Sequence, residues 1–187
     1  MLSGRRLDLL DPSPFDIEIE DIAHGLARVA RWNGQTVGEH AFSVAQHSCV
    51  VEEIAAHLKP GLEPKWRLAA LLHDASEYVI GDMISPFKTV MGDAYKAVET
   101  RLLAAIHLRH GLPATAPAAL RRKIKDADRI AAFLEATELA GFGREEALRY
   151  FGRPQALPRA VMAWLKPLST EDAQARFLAR FTALQPG

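Results

Sequence analysis

Apolar residues recur at three- and four-residue steps along most of the chain, the period of an amphipathic helix. The first stripe, Ile19, Ile22, Leu26, Val29 and Ala30, predicts a helix over residues 18–31, with Glu20, Asp21 and Arg28 off the stripe. Asn33-Gly34 breaks it. Asp11-Pro12-Ser13-Pro14 reads as extended chain, because a residue before proline is pushed out of helical geometry. A second helix is expected over 39–58, stopped by Lys59-Pro60-Gly61. A third starts after Pro64, carries Trp66, Leu68, Ala69, Leu71 and Leu72 into His73-Asp74-Ala75-Ser76-Glu77, and ends at Gly81. Ser85-Pro86 is a start signal, Ser as N-cap and Pro at the first helical position, for a fourth helix reaching residue 110. A fifth over 117–139 aligns Leu120, Ile124, Ala127, Ala131 and Leu134. Two shorter helices are expected over 158–166 and 169–184, the last opened by Ser169 and Asp172 as a capping box with Asp in place of Glu. Strand patterns are almost absent, and there is no internal repeat. The reading is an all-α bundle of six to seven helices in one domain over 1–187, its core at 18–140 and the helices of 157–184 packed on it.

Composition adds bounds. With 187 residues, 49% hydrophobic and 25% charged, the chain can bury a core without staples. A single cysteine, Cys49, excludes a disulfide framework and a cysteine-rich zinc site. The 23 basic and 23 acidic side chains leave no global excess to neutralise phosphates, so no nucleic-acid partner is expected. Arg121-Arg122-Lys123-Ile124-Lys125 reads as a solvated helix face. No apolar stretch follows Arg5 and Arg6, so neither a signal peptide nor a membrane span is expected, and a cytoplasmic protein is.

Leu71-Leu72-His73-Asp74-Ala75-Ser76-Glu77-Tyr78 is the sharpest local feature. Adjacent His and Asp point about 100° apart on a helix and can converge on an ion at its flank. Imidazole nitrogen with carboxylate oxygen suits borderline and hard divalent ions. Partners exist elsewhere. His40 and His47 stand seven residues apart, two turns on the expected second helix. Asp126 and Asp128 fall in an apolar helix, where a buried carboxylate needs a cation or hydrogen-bond donors.

The order His, His-Asp, distant Asp resembles the HD-domain metal-dependent phosphohydrolase superfamily. The run from His73 through Gly81-Asp82-Met83-Ile84-Ser85-Pro86-Phe87-Lys88 is similar to its 5′-deoxynucleotidase-like branch, as are Arg31-Trp32-Asn33-Gly34 and Ser43-Val44-Ala45-Gln46-His47-Ser48. The resemblance spans residues 18–140. It implies His73, Asp74 and Asp128 as metal ligands, with Asp126 the lesser choice. For the first histidine both His47 and His40 stay open; His47 is preferred as ligand and His40 is placed at the pocket edge. The resemblance further implies Glu77 as the group that positions or deprotonates water, and Asp82 near the leaving oxygen or sugar. Arg31 and Lys88 are implied at phosphate and Trp32 against base or sugar. It implies one divalent ion (manganese, cobalt, iron, nickel, zinc or magnesium), a nucleotide or other small phosphate ester as ligand, and a homodimer. His107 and His110, at the end of the fourth helix, are the candidates for a second ion, which this branch does without. His24 and His57 read as surface or packing histidines.

The expected activity is hydrolysis of a nucleoside 5′-monophosphate, foremost a deoxynucleotide. A triphosphate or another small ester is the alternative, and it calls for more basic groups than Arg31 and Lys88. A non-catalytic metal- or nucleotide-binding module is the alternative of another class, and it has no need of Glu77.

Overall fold

The computed structural model describes residues 1–155 and 157–185. Its helices are α1 (Ile19–Leu26), α2 (Val44–Leu58), α3 (Pro64–Leu71), α4 (Glu77–Ile80), α5 (Ser85–Arg109), α6 (Ala118–Glu138), α7 (Arg144–Phe151), α8 (Arg159–Met162) and α9 (Thr170–Leu184). Short 3-10 turns occupy Pro14–Asp16, Arg31–Gly34 and Ala163–Leu165. The all-α reading holds; among the described residues the extended pairing is a single bridge, Ala30 with Ser43. No helix among them is long and apolar enough to cross a membrane.

Helix α2 lies at the centre. It is buried from Val44 through Glu52 and again at Ile54 and Ala55, the mark of a helix covered on every side. Helices α6, α3 and α9 supply that cover. One continuous apolar core runs from Ile17 to Leu184, with Phe42, Leu71, Leu102, Ile106 and Phe177 wholly buried. Charges add to the packing of α9. The buried Glu52 carboxylate accepts from Arg67 Nε at 2.5 Å and from Arg180 Nε, so one residue of α2 ties α3 to α9.

Several boundaries differ from the pattern. The first helix stops at Leu26 rather than 31, because the backbone at 29–31 turns to pair with 42–44: Arg31 N–H donates to Phe42 O at 2.8 Å and Val44 N–H to Val29 O at 2.9 Å. Helix α2 starts at Val44 rather than 39, with the Ser43 hydroxyl accepting from Gln46 N–H. His40 therefore precedes the helix, and the two-turn relation to His47 does not exist. The third helix divides. After Leu71 the chain makes i to i+3 turns, such as Ala75 N–H to Leu72 O at 3.0 Å, before α4. His73 and Asp74 sit on that turn, not on a helix flank.

Helix α5 begins at Ser85 with Ile84 as cap, one residue earlier than expected; the Ser85 side chain lies outside the described residues. Gly92, at φ 67° and ψ −150°, interrupts it in a conformation that only glycine adopts readily. The expected 158–166 helix is the short α8 and a 3-10 turn, and the Arg159 and Ala160 side chains lie outside the description. Helix α7 was not anticipated. Helices α6 and α9 match, and Ser169 caps α9 by accepting from Asp172 N–H at 3.1 Å.

Helices α1 and α4 approach closely through Gly25. A Cβ there would fall 2.8 Å from the Cβ and the backbone oxygen of Tyr78.

Candidate metal centre

His47 lies in the first turn of α2, wholly buried, and faces α6. On α6, Asp128 and Glu135 are seven residues apart, about two turns, and so share a face. The 72–76 turn brings His73 and Asp74 to the same place. His47 Nε2 lies 3.3 Å from Asp128 Oδ1 and 3.5 Å from Asp74 Oδ2; His73 Nε2 lies 3.1 Å from Asp74 Oδ2. Single donor atoms of His47, His73 and Asp128 all fall within 4.8 Å of one another.

The other ring nitrogens are committed. His73 Nδ1 donates to Ala70 O at 2.9 Å, and His47 Nδ1 donates to Glu135 Oε1 at 2.5 Å. Each bond leaves the Nε2 lone pair aimed at the carboxylates. Both Nε2 atoms are buried without a well-formed hydrogen bond, despite the short distances to oxygen. These separations suit a shared ion: bonds of about 2.1 Å put cis donors of an octahedron about 3.0 Å apart. The donor set fits a divalent cation. Electrostatics agree. Burial alone raises the Asp74 carboxyl, but His73 and His47 outweigh it and hold it well below its usual range. Burial and Arg31 push His47 down, and Glu135, Asp128 and Asp74 override them and shift it well above its usual range.

Beside these groups opens a cavity of about 730 Å³, lined by Arg31, Trp32, Asp74, Glu77, Asp82, Lys88 and Asp128 among others. Glu77 is 2% exposed. Its Oε1 accepts from Lys88 Nζ at 3.3 Å, while Oε2 is buried without a hydrogen bond. Burial first, then Asp74 and Asp82, push its carboxyl up to about 8 against the pull of Lys88 and Arg31. Arg31 is held in plane: Nη1 donates to Asp82 Oδ2 at 2.9 Å and Nε to Glu135 Oε2 at 3.2 Å. Trp32 Nε1 donates to the same Glu135 oxygen at 2.9 Å, and its ring packs edge-on against Phe142 and Phe151. Trp32 and Asn33 both adopt left-handed backbone, φ 57° and 52°, which costs side-chain-bearing residues free energy. A smaller cavity of about 420 Å³, beside Ser3, Glu18 and Asp21, holds no histidine.

Of the ten residues preferred for the site in the sequence, nine gather around one cavity or the buried histidine behind it. His40 does not: it is exposed in the segment before α2 and is absent from the cavity lining. Asp126 is exposed, on a different face of α6 from Asp128. His107 Nδ1 points to Pro113 O at 3.3 Å, in the segment after α5, and His110 packs edge-on against Phe181 of α9. Pattern reading missed Glu135 and the wall of the cavity formed by Phe142, Glu146, Tyr150 and Phe151. A signal for Glu135 was present, a lone carboxylate within Ile130-Ala131-Ala132-Phe133-Leu134-Glu135-Ala136. Burial raises its carboxyl, and His47 and Arg31 reverse this and hold it at about 2.

Comparison with known proteins gives a concordant result. A family described as 5′-deoxynucleotidase YfbR-like matches residues 22–155. An uncharacterised protein of Rhodobacter capsulatus is 58% identical over 185 residues, 98% of this chain and 93% of the relative. The uncharacterised protein YfdR of Escherichia coli is 30% identical over 169 residues, 90% of this chain and 85% of its own.

Proposed function

The chain belongs to the YfbR-like 5′-deoxynucleotidase family, and from that premise we propose a metal-dependent HD phosphohydrolase that cleaves nucleoside 5′-monophosphates, deoxynucleotides foremost. Water adds to phosphorus, the bond from phosphorus to the 5′ oxygen breaks, and that oxygen leaves with a proton as the nucleoside hydroxyl. The observation that carries the reading is the pair of buried imidazole Nε2 atoms, unbonded and facing Asp74 and Asp128.

His47, His73, Asp74 and Asp128 hold the ion in this reading. When bound, a divalent cation acidifies water and offsets phosphate charge. Glu77 supplies the proton acceptor at its unbonded Oε2. Its carboxyl, pushed up to about 8, is lowered toward neutrality by any added positive charge nearby, which brings it to the range useful in proton transfer. Arg31, fixed by two carboxylates, presents its fork to phosphate oxygens. Asp82 keeps that fork in place and offers its second oxygen to the sugar. Lys88, bonded to Glu77 and to Glu99 at 3.2 Å, adds positive charge at the phosphate end. Trp32, Phe142 and Phe151 give the sugar and base an apolar wall.

Lys125 and Arg129 also line the cavity. They supply the extra basic groups that a triphosphate requires, so a nucleoside triphosphate is the second reading. A phosphate-release screen of deoxy- and ribonucleotides at each phosphorylation level, with manganese, cobalt, nickel, zinc and magnesium in turn, separates the two. The expected outcome is release from deoxynucleoside 5′-monophosphates. Release from triphosphates alone overturns the substrate. Tight nucleotide binding without any release overturns the enzyme in favour of a binding module.

A further inference from the structure

Glu135 sits behind the cavity, outside its lining and wholly buried, yet its side-chain hydrogen bonds reach the candidate site. Oε1 accepts from His47 Nδ1; Oε2 accepts from both Arg31 Nε and Trp32 Nε1. One carboxylate thus joins an ion-binding histidine, a phosphate-facing arginine and the tryptophan of the wall. Each partner gains something specific. A carboxylate can only accept, so His47 carries a hydrogen on Nδ1, and the neutral ring then offers its lone pair at Nε2. The arginine receives one of the two bonds that set its plane. The indole bond, with the Phe142 and Phe151 contacts, holds Trp32 in its left-handed conformation.

We propose that Glu135 is the positioning residue of this centre, selecting the His47 tautomer that binds metal while aligning Arg31 and Trp32 with the ion. The inference rests on the metal site of the proposed function but not on its substrate. Its sharpest consequence concerns Glu135→Gln, which conserves shape. If the amide oxygen faces His47, the NH₂ meets Arg31 Nε and Trp32 Nε1, both of which can only donate. If the NH₂ faces His47, Nδ1 must accept, and the hydrogen moves to Nε2, where it blocks coordination. Neither orientation serves all three partners.

The test is calorimetric titration of manganese and cobalt into ion-free wild type and Glu135→Gln, with urea unfolding to verify that both are folded. The expected result is a loss of about 10–100-fold in metal affinity, the usual effect of removing a group that orients a ligand. A folded variant that binds metal as wild type does overturns the proposal, as does a wild type that binds neither ion. Should the variant not fold, nitrogen-resolved NMR of the histidine rings in zinc-loaded wild type decides. Hydrogen on Nδ1 of His47, with Nε2 bound to metal, supports the assignment; hydrogen on Nε2 overturns it. These readouts need no substrate, so a protein that passes them and releases no phosphate from deoxynucleotides refutes the proposed substrate alone.

Discussion

At the residue scale, Asp74 and Glu77 stand three positions apart and are expected to respond differently to substitution. Asp74 lies among the imidazoles, within 3.1 Å of His73 Nε2. Glu77 faces Lys88 with one oxygen and has no hydrogen bond at the other. Asp74→Ala is expected to abolish both metal binding and turnover. Glu77→Gln is expected to retain the metal and lose about 10²–10⁴-fold in kcat, the usual range for a proton-transfer group. Metal content by elemental analysis beside steady-state rates checks both, and a Glu77→Gln enzyme at wild-type rate removes Glu77 from proton transfer. His73, Asp74 and Asp128 could be singled out as candidates in the sequence because polar groups beside or within an apolar run need an explanation, and the resemblance supplied their expected role. Glu135 met the same criterion and escaped notice because its partners come from positions 31, 32 and 47, which only the tertiary structure brings near. His40 misled because a histidine at the right spacing counts only if a helix spans the interval.

At the scale of elements, the long stripes were readable and the short interruptions were not. The start of α2 was written in Ser43-Val44-Ala45-Gln46, a capping-box sequence, although Gln46 turns its side chain to Lys166 O and Leu168 N rather than back to its own cap. Helix α7, between Gly143 and Gly152, is eight residues long and buries only Ala147 among its own residues, too short a stripe for periodicity to register. The division of α3 from α4 had no breaker residue to announce it.

The end of α5 carries its own prediction. Burial first, then Arg109 and His107, lower His110 to about 4, against about 6.5 in an unfolded chain. Below pH 6.5 the unfolded chain takes up this proton and the folded chain resists it. The His110 contribution to stability is therefore complete above about pH 6.5 and is lost as pH falls toward 4. His110→Leu, which keeps an apolar contact for Phe181, is expected to show a shallower acid loss than wild type. Urea midpoints of the ion-free proteins at pH 7, 5.5 and 4.5 measure it, and parallel profiles would exclude His110 as a source of the slope.

Across the whole molecule, the helices that hold the site and those that do not are bound through α2. Its inner face carries His47 toward α6, while Glu52 reaches α3 and α9 from the same helix. Glu52→Ala is expected to lower unfolding free energy by roughly 2–4 kcal/mol, less than for a sealed pair because both arginines can turn to water. The loss should appear in the urea midpoint with metal affinity unchanged; a parallel loss of metal would mean that α9 also sets the site. The all-helical class was legible because periodicity is a property of the whole chain. The central place of α2 was not, since a helix covered on all sides and one covered on a single face differ in their neighbours more than in their stripes.

Gly25 lines no part of the cavity, yet its missing side chain makes room for the residue beside Glu77. Because α1 rests its backbone on Tyr78, the turn of helix that carries Glu77 has another helix packed directly behind it. The close approach behind Glu77 thus depends on an atom that is absent at the other side of α4. A neutral drift of residue 25 to alanine would alter no charge and no contact with ligand. It would press on Tyr78 and so displace Glu77, the proposed proton acceptor.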